Sequence, residues 1–197
     1  MKMLIRTGVV LSVLSVAAVP VLASPIVLNG GFETGTFAGW TTTPGPVSLL
    51  YVGTANPHSG AYSAVFGGMN FGLFMEDTIS QSLATTPGQS YVVDFWLTEQ
   101  TSGCDPLIRF CRANDFNVFW NGDWILGLIS MDPFGYTKFS LNVLATGATS
   151  TLSFAAADEP GYYRLDDIRI DAVPEPASLL LLGGGLAGWV AGRRRRN

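Results

Sequence analysis

Few residues in this 197-residue chain have side chains suited to catalysis. His58 is the one histidine, in a turn-like Asn-Pro-His-Ser-Gly segment, and the chain has no Gly-x-Ser-x-Gly nucleophile motif. Two cysteines and one histidine are too few ligands for a Cys/His metal cluster. We therefore expect neither nucleophilic catalysis by a Ser/His/Asp triad nor a zinc centre.

The acidic residues offer no better case for an enzyme. Hydrolysis of a glycosidic bond needs two carboxyl groups flanking the sugar. Glu76-Asp77 and Asp158-Glu159 are adjacent in sequence, so alternation along a strand would direct the two side chains of each pair to opposite sides. We expect these carboxylates to be solvated loop charges and the protein to have no enzymatic activity.

Aromatic side chains are better candidates for binding, because a flat apolar ring packs well against the C–H face of a sugar. Alternation within the candidate strands puts three of them on faces turned away from the core, with three polar side chains as partners for hydroxyl groups. The candidate ligand-binding residues are Trp96, Phe119, Trp124, Asp94, Asn117 and Asn142. The alternative is that these rings pack against loops or against the other sheet.

Short strands must position these residues. Between residues 24 and 172, apolar alternation recurs about every 8–15 residues, separated by Gly, Pro, Asn and Asp, which is typical of an all-β sandwich. Within residues 91–97 the odd-numbered side chains are apolar and should face the core. Asn121-Gly122 predicts a two-residue hairpin turn. That turn would pair Trp120 with Asp123, Phe119 with Trp124 and Val118 with Ile125.

Composition divides the chain into three parts. It is 48% hydrophobic and 13% charged, and the apolar excess lies at the two ends. The middle, residues 24–172, holds fourteen acids against five bases, a net charge of −9. About 150 residues suffice for one domain with its own core. So acidic a domain repels phosphate backbones, and we expect no nucleic acid partner.

The N-terminus predicts export. Lys2 and Arg6 precede an apolar run over residues 7–22, and Val-Leu-Ala at residues 21–23 supplies the small residues that precede a cleavage site. We predict a signal peptide over residues 1–23. The alternative is an uncleaved membrane anchor.

The C-terminus, residues 173–197, has three features in order. A Val-Pro-Glu-Pro segment precedes an apolar run over residues 177–192, and four arginines follow. As a helix that run reaches about 24 Å, close to the ~30 Å of a hydrocarbon core, so we predict a transmembrane segment there. The arginines would hold their end in the cytoplasm and leave residues 24–172 outside it. The charged and proline residues of this tail are Pro174, Glu175, Pro176, Arg193, Arg194, Arg195 and Arg196.

This tail resembles the PEP-CTERM sorting signal. The resemblance implies processing near Pro-Glu-Pro by an exosortase, a membrane-embedded transpeptidase-like protease. It also implies transit through the inner membrane and a destination at the cell-envelope surface or in the extracellular matrix. In an oxidising envelope compartment, Cys104 and Cys111 are expected to close a small loop as a disulfide.

A second resemblance covers nearly all of residues 24–172. Its segments, in order, are Asn-Gly-Gly-Phe-Glu at 29–33 with Trp40, Ser-Gly-Ala-Tyr-Ser-Ala at 59–64, Ile-Ser-Gln at 79–81, Pro-Gly-Gln-Ser-Tyr at 87–91 and Leu-Asp-Asp-Ile-Arg-Ile at 165–170. Together they resemble the galactose-binding-like jelly rolls of many carbohydrate-binding modules. The resemblance implies an all-β, two-sheet jelly-roll sandwich, flanked here by a signal helix and a transmembrane helix.

The same resemblance implies one structural Ca²⁺ held by Glu33 and Asp166. Asp166 shares strand parity with Ile168 and Ile170 and would point inward, where an uncompensated carboxylate is costly. A hard cation with oxygen ligands would offset that cost. The alternative is that Asp166 lies at the mouth of the strand, where it is hydrated or capped.

The expected function is that of a non-catalytic carbohydrate- or matrix-binding module of the cell surface or exopolysaccharide. The alternative is a structural surface protein with no specific ligand. A groove lined by Trp96, Phe119 or Trp124 would favour the binding module, whereas a flat or buried arrangement would favour the structural protein.

Overall fold

The computed structural model describes residues 26–68, 76–100, 104–105, 110–111, 114–158 and 161–174. The predicted signal peptide and the predicted transmembrane segment lie outside these residues. Within the described ranges every regular element is a β-strand. The same ranges hold no helix that is both long and apolar enough to cross a membrane.

Twelve strands make up the described part of the chain. In chain order they are β1 (Thr41–Thr43), β2 (Tyr51–Gly53), β3 (Ser63–Phe66), β4 (Asp77–Ala84), β5 (Ser90–Glu99), β6 (Cys104–Asp105), β7 (Phe110–Cys111), β8 (Asp115–Trp120), β9 (Asp123–Ile129), β10 (Phe134–Leu144), β11 (Thr149–Ala157) and β12 (Tyr163–Ala172). All the strand pairs are antiparallel.

These strands form two five-stranded sheets that pack face to face, so the predicted all-β sandwich is confirmed. Sheet I has the order β1-β4-β11-β8-β9, and sheet II has the order β10-β5-β12-β3-β2. A separate two-stranded ladder, β6–β7, puts Cys104 opposite Cys111. That register fits the expected disulfide, which remains a prediction.

The core lies between the two sheets and is rich in aromatic rings. Phe95 of sheet II meets Phe154 of sheet I edge to face, with ring centroids 5.2 Å apart. Phe116 of sheet I packs on Tyr163 of sheet II at 5.4 Å. As the alternation predicted, Tyr91, Val93, Phe95 and Leu97 are all at most 4% exposed. Burial of such rings is the main apolar contribution to the stability of the sandwich.

The β8–β9 hairpin confirms the predicted turn but corrects its register. Asn121 and Gly122 have φ values of 54° and 87°, as a type I′ turn requires. The pairs Trp120–Asp123 and Phe119–Trp124 form as expected. The expected partner Ile125 is wrong, because a β-bulge follows and Val118 pairs with Leu126. Because of the extra residue, Leu126 and Leu128 lie on the inner face, opposite Val118 and Phe116.

A second bulge, in β12, overturns the parity argument for Asp166. The register of β12 on β5 shifts between Asp166 and Arg169, and Asp167 at this point has a φ of 50°. Asp166 pairs with Trp96, so it lies on the outer face of sheet II rather than among the inward residues Ile168 and Ile170. It is nevertheless fully buried, because a loop covers it from outside.

Candidate functional site

The predicted ligand-binding residues do not converge on one site. Strand pairing divides them between the outer faces of the two sheets, which point in opposite directions. Trp96, Asp94 and Asn142 belong to sheet II, and Asn117, Phe119 and Trp124 belong to sheet I. The two groups therefore form two separate candidate surfaces, one on each sheet.

On sheet I, the indole ring of Trp124 lies over the backbone of Gly127. A Cβ atom added at Gly127 would fall well inside van der Waals contact with ring atom Cζ2, so the absence of a side chain there lets the ring lie against the strand. The opposite side of the ring faces solvent, and 60% of the residue remains exposed. The arrangement is an open aromatic platform.

Two hydrogen bonds fix the orientation of this platform. The indole Nε1 of Trp124 donates to Asn117 Oδ1 at 3.0 Å. Asn117 Nδ2 in turn donates to Glu76 Oε1, also at 3.0 Å. Asn117 is only 8% exposed, so the ring is held in place before any ligand arrives, and little side-chain entropy remains to be lost on binding.

Hydroxyl side chains line the same outer face beside the platform. Strand pairing joins Phe119 to Ser153, and Ser153 to Ser80. The outward hydroxyl residues of β4 and β11 are Thr78, Ser80, Ser82, Thr149, Thr151 and Ser153. The surface thus combines one apolar ring with small hydrogen-bonding groups.

On sheet II, Trp96 has no open face of this kind. The imidazole of His58 stacks on it, with ring centroids 3.9 Å apart and planes 15° from parallel. Tyr136 packs edge-on against the same imidazole at 5.1 Å, and its hydroxyl donates to Asn56 O. The loop around His58 thus covers Trp96, as the alternative in the sequence analysis anticipated.

Asp94 is likewise engaged within the protein. Its carboxylate forms an ion pair with Lys138 at 2.7 Å and accepts a hydrogen bond from Ser140 at 2.5 Å. Partial burial acts to raise the pKa of Asp94, but its bonds to Lys138 and Ser140 outweigh this effect and leave the pKa below its ordinary value. The outer face of sheet II is therefore internally paired at this point.

Glu33 and Asp166 both accept hydrogen bonds from one loop, residues 58–62. Asp166 Oδ2 accepts hydrogen bonds from the amides of His58 and Ser59 at 2.9 and 3.1 Å. Glu33 accepts from the amides of Ala61 and Tyr62 at 3.0–3.2 Å. The described contacts of the loop with both carboxylates are thus made by backbone amides.

The charge of Asp166 is only partly compensated by these amides. Burial raises the pKa of Asp166 to about 6, although hydrogen bonds from Ser59 and Asp167 act to lower it. Asp167 anchors the loop from the other side, with Oδ2 at 2.7 Å from His58 Nδ1 and Oδ1 accepting from Ser59 Oγ at 2.8 Å. The only histidine is thus held as a structural part of the loop.

Two residues of the sheet I platform were missed by sequence reasoning. Gly127 supplies the space beneath the ring, and Glu76 holds Asn117. The only signal in the sequence was a glycine three residues after an outward tryptophan. Simple alternation puts residues 124 and 127 on opposite faces of the strand, and the bulge between them brings Gly127 under the ring. Nothing in the sequence links Glu76 to Asn117, which lies 41 residues later.

Comparison with known families confirms the resemblance of the tail. A family model described as the PEP-CTERM protein-sorting motif matches residues 172–196. The motif marks the chain as an exported protein of the kind that an exosortase sorts.

One curated relative matches about two thirds of the chain. It is endo-1,4-beta-xylanase A of Thermoanaerobacterium saccharolyticum, 29% identical over 146 residues, or 66% of this chain. The match spans only 12% of that protein. It therefore concerns a small part of the relative.

Solved structures show that the fold is shared with carbohydrate-binding modules. TmCBM61, solved with beta-1,4-galactotriose, has a TM-score of 0.55 and 16% identity, with 77% of this chain and 100% of that chain covered. The CBM22-1 xylan-binding domain of Paenibacillus barcinonensis Xyn10C has a TM-score of 0.51 and 17% identity, with 75% and 94% covered. A Stig cyclase of Fischerella sp. TAU shares the fold as well, at a TM-score of 0.52 and 14% identity, with 77% and 98% covered. Fold alone therefore leaves the activity to be argued from the site.

Proposed function

We propose that the exported domain is a non-catalytic carbohydrate-binding module whose binding surface is the outer face of sheet I, centred on Trp124. The observation that carries this proposal is the indole ring pinned over Gly127 with its other side open. A pyranose ring presents a flat patch of C–H groups that matches such a platform, and its hydroxyl groups suit the neighbouring Ser and Thr side chains.

The relatives give the proposal a direction. Of the solved structures with the same fold, one is a module in complex with beta-1,4-galactotriose and another is a xylan-binding domain. A curated xylanase contains a stretch similar to this domain. Xylan and β-galactan are therefore the first ligands to test, together with the exopolysaccharide of the native host.

Absence of catalysis is part of the proposal. Cleavage of a glycosidic bond needs two carboxyl groups at the sugar. At the platform, the carboxylate of Glu76 accepts a hydrogen bond from Asn117 and acts as a support for the ring. We expect incubation with a bound polysaccharide to release no reducing ends.

Affinity electrophoresis of the purified full chain in mild detergent, through native gels containing xylan, β-galactan or host exopolysaccharide, tests the binding site. Trp124→Ala should raise the dissociation constant, obtained from the retardation, by up to about tenfold, because a stacked aromatic contact contributes up to about 1.5 kcal/mol. Gly127→Ala keeps the tryptophan but pushes its ring away from the strand, so it should weaken binding similarly.

Trp96→Ala is the matched control, because that ring is already covered by His58. Retardation that is unchanged in Trp124→Ala and Gly127→Ala would reject the sheet I surface. Free migration of the wild type in every gel would favour a structural surface protein with no specific ligand.

We propose that residues 1–23 act as a cleaved signal peptide, that residues 177–192 span the inner membrane in transit, and that an exosortase then processes the tail. The match to the sorting motif supports this route. In the oxidising compartment reached this way, Cys104 and Cys111 form a disulfide, which their opposed positions on β6 and β7 support. Alkylation before and after reduction, read by intact mass, checks the bond.

We also propose a structural Ca²⁺ at Glu33 and Asp166. The complete burial of Asp166 and its incompletely compensated charge support the idea. The amides that already bond to both carboxylates argue for a site that the loop preorganises rather than one that calcium alone builds. If calcium binds there, a chelator should lower the melting temperature of the wild type and leave that of Asp166→Asn unchanged.

A further inference from the structure

The apolar interior of the sandwich ends in a layer of polar side chains at one end. Four inward positions contribute: Glu99 at the end of β5, Tyr163 at the start of β12, Asn114 just before β8 and Asp158 just after β11. They come from both sheets, and Tyr163 and Glu99 are direct cross-strand partners. Each is at most 2% exposed, so the expectation that Asp158 is a solvated loop charge is wrong. We refer to these four residues as the polar layer.

Several oxygen atoms of the polar layer have no hydrogen-bond partner among the residues that the structure describes. They are both carboxylate oxygens of Asp158, Oε2 of Glu99 and the hydroxyl of Tyr163. Asn114 satisfies only Oε1 of Glu99, at 3.0 Å. The amide of Gly161 lies near Asp158 and favours its charged form, but it does not reach hydrogen-bond geometry with either oxygen. Buried carboxylates left in this state cost several kcal/mol each.

The negative charges of the polar layer also act on one another. Burial, and then the charge of Glu99, raises the pKa of Asp158 to about 7. Burial raises the pKa of Glu99 as well, against its bond from Asn114. The nearby base Arg164 has the opposite strand parity to Tyr163 and donates through Nε to Gln100. None of the four side chains of the layer supplies a positive charge.

We propose that the polar layer is a binding site for a hard divalent cation of the calcium class, held by the carboxylates of Glu99 and Asp158 with the Tyr163 hydroxyl beside it. All the free donor atoms are oxygens, which Ca²⁺ prefers and softer metals do not. Within the described residues no three His, Cys, Asp or Glu side chains cluster for a metal. Water and backbone carbonyls, which Ca²⁺ readily accepts, therefore complete the coordination.

An access route exists on the side of Glu99. An open cavity of about 600 Å³ is lined by Asn56, Thr98, Glu99, Gln100 and residues 133–135. Solvent therefore comes close to the end of β5, where Glu99 lies. The site is separate from Glu33 and Asp166, which accept hydrogen bonds from the loop of residues 58–62.

Terbium luminescence tests the site in the full chain purified in mild detergent. Tb³⁺ replaces Ca²⁺ at oxygen sites, and its emission is sensitised by a nearby aromatic ring, here Tyr163. We expect saturable emission that Ca²⁺ displaces. Asp158→Asn and Glu99→Gln, each nearly isosteric, should weaken Tb³⁺ binding by more than about tenfold. Tyr163→Phe should reduce the emission per bound ion, because phenylalanine sensitises Tb³⁺ poorly.

Glu33→Gln and Asp166→Asn are the matched controls, since they alter the other carboxylate pair. Emission that is lost in these controls but retained in Asp158→Asn and Glu99→Gln would overturn the proposal. Absence of saturable emission from the wild type would also overturn the proposal, because Asp158 and Glu99 would then share protons instead of a cation. Far-ultraviolet circular dichroism and a cooperative melting transition establish that each variant compared is folded.

Discussion

At the scale of single residues, Trp96 and Trp124 show how far sequence reasoning reaches. Alternation predicted that both point away from the core, and both do. Which of them stays open depends on neighbours: Trp124 lies over a glycine three residues later, whereas Trp96 is covered by His58 from a distant loop. The first relation is local but requires the bulge in the β8–β9 hairpin, which alternation does not predict, while the second depends on the tertiary fold.

The raised pKa of the buried Asp158 carboxyl predicts that the stability of the fold depends on pH. Its folded pKa of about 7 lies above the ordinary value of 3.8, so between these pH values the folded state binds more protons than the unfolded state. In chelator, the free energy of unfolding should therefore fall as pH rises from about 4 to about 7, by up to about 1.4 kcal/mol per pH unit. Urea denaturation across this range measures the slope.

Asp158→Asn should remove the part of this slope between about pH 6 and 7. Asp166, whose pKa is raised to about 6, contributes in the same direction at lower pH and is retained in the variant. The Asn side chain also removes a buried charge, so the variant should be at least as stable as the wild type at pH 8. An unaltered slope above pH 6 would contradict the assignment to Asp158.

At the scale of elements, the β8–β9 turn allows the effect of a positive φ on stability to be measured without a steric clash. A Cβ atom added at Gly122 meets nothing within 4 Å, but the residue has a φ of 87°. Gly122→Ala should therefore lower stability by about 1 kcal/mol, or about 2–4 °C in melting temperature. Gly135→Ala is the matched control, because its added Cβ is equally unhindered and its φ is not positive. Equal melting temperatures for the two variants would contradict the type I′ assignment.

The strands and the turn were predictable from sequence, whereas the two bulges were not. Alternation and the Asn-Gly pair are local signals, and they identified the core face of β5 and the first two pairs of the hairpin. The β12 bulge depends on Asp167, whose carboxylate bonds to Ser59 across 108 residues of sequence. Alternation assumed an uninterrupted strand and therefore assigned Asp166 to the wrong face, although its burial was predicted correctly.

At the scale of the whole molecule, the sorting motif joins the folded domain without a linker. The motif match begins at residue 172, the last residue of β12. β12 lies in the middle of sheet II. Beyond it, the amide of Val173 donates to Ser90 O at 2.9 Å, and Gln89 Nε2 donates to Val173 O at 2.6 Å. A protease that acts near Pro-Glu-Pro therefore has to bind the chain directly next to a residue that is hydrogen-bonded to the sandwich.

This junction predicts that the strand end limits processing of the tail. An enzyme that binds an extended substrate needs Val173 and Pro174 free of the sheet, and Gln89→Ala removes one hydrogen bond that resists their release. A bond of this kind contributes about 1 kcal/mol, so the open fraction and the initial processing rate should rise about fivefold. Pulse–chase in the native host, scored as the ratio of shortened to full-length chain, measures the rate. Asn142→Ala, exposed on the same sheet, should process like the wild type; equal rates for all three proteins would mean that the enzyme acts beyond the influence of the sandwich.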